Sequence, residues 1–188
     1  EEIRYLALMA DQVSVALTNC DAMRQLHAYF FQSIEFMVDC TQGQDPNSHS
    51  RQVAALSLNM AQQLGLGPEE TDMLKFAALL HDVGELQTRK NDGQHPALAA
   101  QMLRKVSLFE RLVPIIENHH ERFDGKGYPN GRSGEDIPFL ARVLAIAEAF
   151  YEDGPGKGPS GASMDEFLGR FGGAFDPNLR GTFQAAVS

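Results

Sequence analysis

The chain has 188 residues, 43 % of them apolar, enough for one ordinary domain with an appendage and a buried core. A net charge of −9 excludes a general nucleic-acid binder, DNA included, because that affinity needs Lys and Arg to neutralise phosphates. It leaves room for a small anionic ligand, since bound cations can reverse a local field.

No apolar run reaches bilayer length and no basic segment leads into one, so neither a membrane span nor a secretory leader is predicted. Cys20 and Cys40 share one helical stretch without CxxC spacing. A disulfide framework is not expected, and a reducing cytoplasm fits.

Residues 1 to about 40 read as one long helix. Leu6, Met9, Val13, Ala16, Cys20, Met23, Leu26, Phe30 and Met37 recur in steps of three and four. It begins without a capping residue, as a piece cut from a longer helix does. Two uses stay open: a seam between two protomers, making a homodimer, or a helix folded onto its own domain. His27 has no partner in the pattern and reads as structural.

Thr41 to Ser48 is dense in turn formers, and Asn47 or Ser48 is placed to cap the next helix. The organisation expected is therefore a helix over 1–42 and a domain over 43–188. The second helix carries His49 in its first turn, and Gly65 and Gly67 stop it. Pro68-Glu69-Glu70 opens a strongly apolar third helix (Met73, Leu74, Phe76, Ala77, Leu79, Leu80) that ends on His81-Asp82-Val83-Gly84-Glu85.

A polar loop leads to His95-Pro96 and a fourth helix. A run from Leu108 to Glu121 contains Pro114, which should kink or split it. It ends in His119-His120 and a turn from Asp124-Gly125 to Gly127-Tyr128-Pro129. After Ile137-Pro138 comes a core helix with Val143, Leu144, Ile146 and Phe150. Gly154 to Gly161 has the composition of a flexible linker. Short helices over Met164 to Phe171 and after Phe175-Asp176-Pro177 finish the chain. No alternating strand pattern appears, so the fold class is all-α.

His81-Asp82 closes the most apolar helix, where an unpaired carboxylate would be costly to bury. With His49, His95, His119, His120 and a later carboxylate, it forms a donor set of nitrogen and oxygen without sulfur. That set suits Fe, Mn, Ni or Zn in a site with several ions. Two neighbouring ions clamp both oxygens of a phosphoryl transfer.

The order His49-Ser50, His81-Asp82, Gly84, His95-Pro96, His119-His120-Glu121-Arg122, Asp124-Gly125, Gly127-Tyr128-Pro129 resembles the HD-GYP family of bacterial phosphodiesterases over about residues 45–185. The leading helix resembles, less specifically, a signalling helix that leaves a GAF-type sensor. The resemblance implies an HD-domain helical bundle holding two or three divalent ions, usually iron or manganese. It implies hydrolysis of cyclic di-GMP through a metal-bridging hydroxide, with His81 and Asp82 at the reacting centre.

Carried over by position, His49, His81, Asp82, His95, His119 and His120 are metal ligands. Glu148 stands where the family has a metal-binding Asp, and Glu85 where a Lys is usual; one branch uses an acid there for a third ion. Gly127-Tyr128-Pro129 would shape the mouth of the site and offer a surface to a diguanylate-cyclase-type partner.

Tyr151 replaces a frequent second Asp, and a basic segment expected after it is absent. Arg122, Lys126 and Arg142, beside Tyr128, are the candidate substrate contacts in its place. Two other readings stay in view: a metal- and ligand-binding regulatory module without turnover, and a general HD-type nucleotide phosphohydrolase.

Overall fold

The computed structural model describes residues 2–42, 45, 47–88, 93–157 and 161–188. It is helical throughout, with no β-strand among the described residues beyond an isolated bridge between Phe171 and Phe175. Among the described residues eight α-helices follow in order: α1 Glu2–Gln42, α2 His49–Leu64, α3 Pro68–Leu80, α4 His95–Leu103, α5 Val113–Glu117, α6 Phe139–Glu152, α7 Met164–Leu168 and α8 Arg180–Val187. The chain divides into two compact units, Glu1–Thr41 and Gln42–Ser188.

In the first unit α1 is unbroken, as the lack of Gly and Pro over its length requires. Its apolar residues Leu6, Met9, Val13, Met23 and Leu26 are between 57 % and 67 % exposed. The side chain of His27 lies outside the described residues.

The second unit is built on α2, α3 and α6. Val53, Leu56 and Met60 of α2, Leu74 and Leu80 of α3, and Val143, Leu144 and Ile146 of α6 are buried. Burying each such side chain contributes about 1.5–3 kcal/mol. Small residues set how closely the helices approach: Ala77, Ala78, Ala99, Ala100, Ala141 and Ala147 are all fully buried. Short side chains at contact positions bring the backbones, and so the ligands they carry, close together. At the C-terminal end, Phe167 packs its ring 5.7 Å from Phe150 and 5.1 Å from Phe183. That aromatic cluster fastens α7 and α8 to α6.

Several element ends have local causes. Gly65 caps α2 in the left-handed region, at φ 65°, where a side chain would be strained. Pro68 sits in the first turn of α3, where its missing N–H costs nothing. Ser48 occupies the cap position of α2, but its side chain makes no capping hydrogen bond. Ser163 and Glu166 form a reciprocal capping box on α7, and α7 ends at Leu168 rather than at Phe171.

The run expected over 108–121 is split. A 3-10 turn at Ser107–Phe109 precedes α5, and Pro114 lies in the first turn of α5 instead of its interior. The helix therefore stops at Glu117, and both histidines stand just beyond it.

The 154–161 segment differs from a flexible linker where it is described. Gly154 is buried, Ala162 N–H donates to Asp153 O at 2.8 Å, and Lys157 N–H to Gly154 O at 3.1 Å. A Cβ on Gly161 would meet Gly154 O at 1.9 Å, so these glycines allow close packing of backbone on backbone.

Candidate metal centre

Helix ends deliver the ligands. α3 runs into a 3-10 turn, His81–Gln87, that carries His81, Asp82 and Glu85. α2 and α4 each begin on a histidine, His49 and His95. The turn after α5 carries His119 and His120, and Glu148 projects from the buried face of α6. Gly84 sets the spacing between two of these pieces. A Cβ there would meet His95 O at 2.1 Å and Ala99 N at 2.8 Å. Only a residue without a side chain lets the start of α4 lie this close to the end of α3.

The imidazoles converge. Nε2 of His95 is 3.3 Å from Nε2 of His119 and 3.1 Å from Nε2 of His120. Nε2 of His81 is 3.2 Å from Asp82 Oδ2. Glu148 reaches His120 Nε2 at 3.2 Å through Oε1 and His119 Nε2 at 3.7 Å through Oε2. The His49 ring lies 5.5 Å from that of His81. Adjacent His119 and His120 turn their rings to 4.3 Å of each other, because they sit in a turn and not on a helix.

Three sets of donors can each hold one ion, with ligand atoms within 4.8 Å of one another: His95, His119 and His120; His49, His81 and Asp82; and Asp82, His119 and Glu148. Asp82 and His119 each belong to two sets. A carboxylate has two oxygens and can bridge two ions; an imidazole nitrogen serves one. Asp82 is therefore the donor placed to be shared between two ions. Glu85 is in none of the three sets and lines the cavity beside them.

Two of the rings are oriented by their own backbone. His81 Nδ1 donates to Ala78 O at 2.8 Å, and His119 Nδ1 donates to Ile116 O at 2.5 Å. A carbonyl only accepts, so Nδ1 bears a proton and Nε2 is the nitrogen that faces the cluster, as in metal-bound histidines. His81 Nε2 is buried and makes no hydrogen bond among the described residues. A buried polar atom without such a bond calls for a partner, and a divalent ion supplies one. The donor set fits.

The electrostatics agree. Burial lowers His119 well below the ordinary histidine value and takes His120 down to about 3, so both rings are neutral donors at pH 7. Burial also opposes charge on His81, but the Asp82 carboxylate outweighs it and pushes the ring up to about 10. The same pairing, against burial, holds Asp82 well below the usual carboxylate range. Burial drives Glu148 well above its ordinary value. Among protein groups alone Glu148 lacks a full counter-charge, and a cation between it and the imidazoles provides one.

The Gly127-Tyr128-Pro129 loop is fixed onto this cluster. Tyr128 N–H donates to His120 O at 3.2 Å, and the Tyr128 ring stacks on that of His120 at 4.8 Å. Glu121 is buried; its two oxygens accept from Asn130 N–H at 2.6 Å and Arg132 N–H at 3.0 Å. The Tyr128–Pro129 peptide bond is cis.

Two cavities open on the cluster. One, about 310 Å³, is lined by His49, Asp82, Glu85, Glu148, Glu152 and Lys157, among others. The other, about 520 Å³, lies on the far side of His120 and Glu152 and is lined by Arg122, Lys126, Tyr128 and Arg170, among others. Lys157 was missed by pattern reading, which took its segment for a linker. Glu152 and Arg170 were likewise missed, because single charges on a helix end or a turn carry no signal.

Of the expected substrate contacts, Arg122, Lys126 and Tyr128 line the larger cavity. Arg142 is not brought there. It donates to Asp176 Oδ2 at 2.5 Å and lies over the Phe139 ring, so its charge is spent tying α6 to the Phe175-Asp176-Pro177 turn.

The model of the HD domain family matches residues 40–165. The chain belongs to the HD domain family. Its HD-GYP resemblance is carried by its relatives. A 3′3′-cGAMP-specific phosphodiesterase of Vibrio cholerae is 32 % identical over 117 residues, 54 % of this chain and 25 % of that protein. A cyclic di-GMP phosphodiesterase of Pseudomonas aeruginosa is 34 % identical over 161 residues, 74 % of this chain and 38 % of that protein. This HD domain chain thus spans well under half the length of these two curated relatives. Among solved structures, a cyclic GMP-AMP-specific phosphodiesterase of V. cholerae superposes with a TM-score of 0.66 at 21 % identity, covering 82 % of this chain and 48 % of that one. An HD-GYP-type protein of Bdellovibrio bacteriovorus gives 0.61 at 24 % identity, covering 82 % and 58 %. Both share the fold.

Proposed function

We propose that this HD domain hydrolyses a cyclic dinucleotide, cyclic di-GMP first, at a centre of two or three divalent ions, iron or manganese. The convergence of inward-facing Nε2 atoms with Asp82 and Glu148 carries this reading. His49, His81, Asp82, His95, His119, His120 and Glu148 hold the ions, with Glu85 completing a third position. Bound there, the ions supply Lewis acidity and an activated water for attack on phosphorus. The protein's part is to orient the diester in line, with the new P–O bond forming opposite the one that breaks; the leaving 3′-oxygen takes a proton. Lys157 is the cation on the acid-lined cavity and holds a phosphate oxygen there. Tyr128 walls the other side.

The exposed apolar residues of α1 support a homodimer through that helix. The rigidly held Gly127-Tyr128-Pro129 loop supports a docking surface for a cyclase-type partner. The test is elemental analysis of anaerobically purified protein alongside chromatography of products from cyclic di-GMP and 3′3′-cGAMP. Two or three ions per chain with a linear or mononucleotide product is the expected result. Metal-loaded protein that cleaves neither substrate overturns the proposal. Ligand binding without product would instead favour the regulatory module, a reading supported by Tyr151 and Glu148 standing where the family has aspartates. Cleavage of nucleotide monoesters alone would point to a general HD-type phosphohydrolase.

A further inference from the structure

The two cavities differ in charge and share a wall. Among the described residues the smaller has four carboxylates on its lining, Asp82, Glu85, Glu148 and Glu152, against one cation, Lys157. Among the described residues the larger has three cations, Arg122, Lys126 and Arg170, beside three carboxylates, Glu121, Glu152 and Asp153, and it meets the first along His120 and Glu152. Each is of a size that accepts a small ligand.

The three cations are not equivalent. Arg122 spends Nε at 2.9 Å and Nη2 at 2.6 Å on the Asp124 carboxylate. Arg170 gives only Nη1 to Asp153, at 2.9 Å, and its guanidinium lies 5.4 Å over the Phe167 ring. One hydrogen bond and one stacking face hold Arg170 still, while its Nε and Nη2 make no hydrogen bond among the described residues. A guanidinium keeps five N–H donors in a rigid fork, suited to a phosphate or a purine edge. Of the three acids on this lining, Glu121 is held by Asn130 and Arg132 and Asp153 by Arg170 itself, while Glu152 lies on the wall shared with the acid-lined cavity.

From this asymmetry we infer that the larger cavity is a second half-site, in which Arg170 and Lys126 hold the distal nucleotide unit of a dinucleotide whose other phosphodiester lies at the metal centre. The inference rests on the proposed function and adds to it the residues that recognise the part of the substrate that does not react. A cyclic dinucleotide carries two phosphodiesters. The acid-lined cavity accepts one through its bound cations, and the second needs a cation of the protein's own. Arg170 supplies it from a fixed position, and Lys126 from an exposed side chain on the same lining. A single-phosphodiester substrate without a second nucleotide has nothing to place there.

Steady-state kinetics on the metal-loaded chain test this, comparing cyclic di-GMP with bis(4-nitrophenyl) phosphate in wild type, Arg170→Ala, Arg170→Lys and Lys126→Met. The expected result for Arg170→Ala is a KM for cyclic di-GMP raised about tenfold or more relative to that for the small diester, the scale of one charge-assisted contact. Lys126→Met moves the ratio the same way by less, and Arg170→Lys restores part of it. Equal loss on both substrates, or no change in the ratio, overturns the half-site. A wild type that cleaves the small diester but no cyclic dinucleotide overturns the proposed function and the half-site together, and that outcome is read before any variant is made.

Discussion

The Tyr128 ring lies on the His120 ring with centroids 4.8 Å apart and planes 23° apart. A histidine of the cluster is thus held on one side by the loop that forms the mouth. Stacked pairs contribute about 0.5–1.5 kcal/mol beyond their buried area. Tyr128→Ala is expected to lower the melting temperature by a few degrees and slow turnover, with metal content unchanged, since Tyr128 supplies no ligand. Calorimetry and elemental analysis of the same preparation check both parts. Loss of a full equivalent of metal would mean that the stack, and not the turn after α5, orients His120.

Glu121 is the anchor of that loop. Replacing it with Ala leaves the Asn130 and Arg132 N–H groups without their acceptor, at a cost of about 1–3 kcal/mol. Glu121→Gln keeps one acceptor oxygen and should cost less. Denaturant melts rank the pair, and amide hydrogen exchange at residues 128–132 should rise more in the Ala variant.

Gly84→Ala places a methyl group against the His95 carbonyl, where an ideal Cβ comes within 2.1 Å. Overpacking of this kind costs about 1–3 kcal/mol. The strain falls on the joint that brings His95 to His81, so metal content should fall along with stability. A variant that melts lower but binds a full complement of metal would show that α4 moves as a body without parting the ligands.

Metal removal should destabilise the fold, because ions that bind only the folded state add about RT ln(1 + [L]/Kd). Chelator is expected to lower the melting temperature of wild type by more than that of His119→Ala, which has lost one of the candidate ligands. Equal shifts would argue against His119 as a ligand.

In chelator the cluster also sets a pH dependence. His120 has a depressed value of about 3 in the folded state and ordinary basicity when unfolded, so the unfolded chain binds the extra proton. Its contribution is present above about pH 6.5 and is lost as pH falls toward 3. His81, raised to about 10, acts in the other window: its contribution is complete below about pH 6.5 and fades as pH rises toward 10. Urea melts across pH should show the acid arm shallower in His120→Gln and the alkaline arm shallower in His81→Gln. Adding metal should abolish the alkaline arm, since an ion then replaces the His81 proton.

The helices, the residues that converge at the candidate site and the 119–129 loop were legible in the sequence because each has a local signature. The apolar face of α3 ends on His81-Asp82, Pro68 and Gly65 mark helix boundaries, and the 119–129 block is dense in special residues. Partners set by distant contacts were not. Arg142 looked like a phosphate ligand because Asp176, which takes its charge, lies 34 residues away. Lys157 looked like part of a flexible linker because glycines read the same whether they loosen a chain or let it pack. Only the contact of Gly161 with Gly154 separates the two. Arg170 was silent for a third reason: its role comes from the Phe167 ring and Asp153, which no spacing rule joins to it.

The protons on Nδ1 of His81 and His119 are assigned by carbonyl groups three residues back in the same short segments. Which nitrogen of each ring looks inward is thus set by the local turn and needs no ion to choose it. Exchanging one divalent cation for another then changes only the occupant. The chemistry can be retuned by supply from outside while the polypeptide stays as it is.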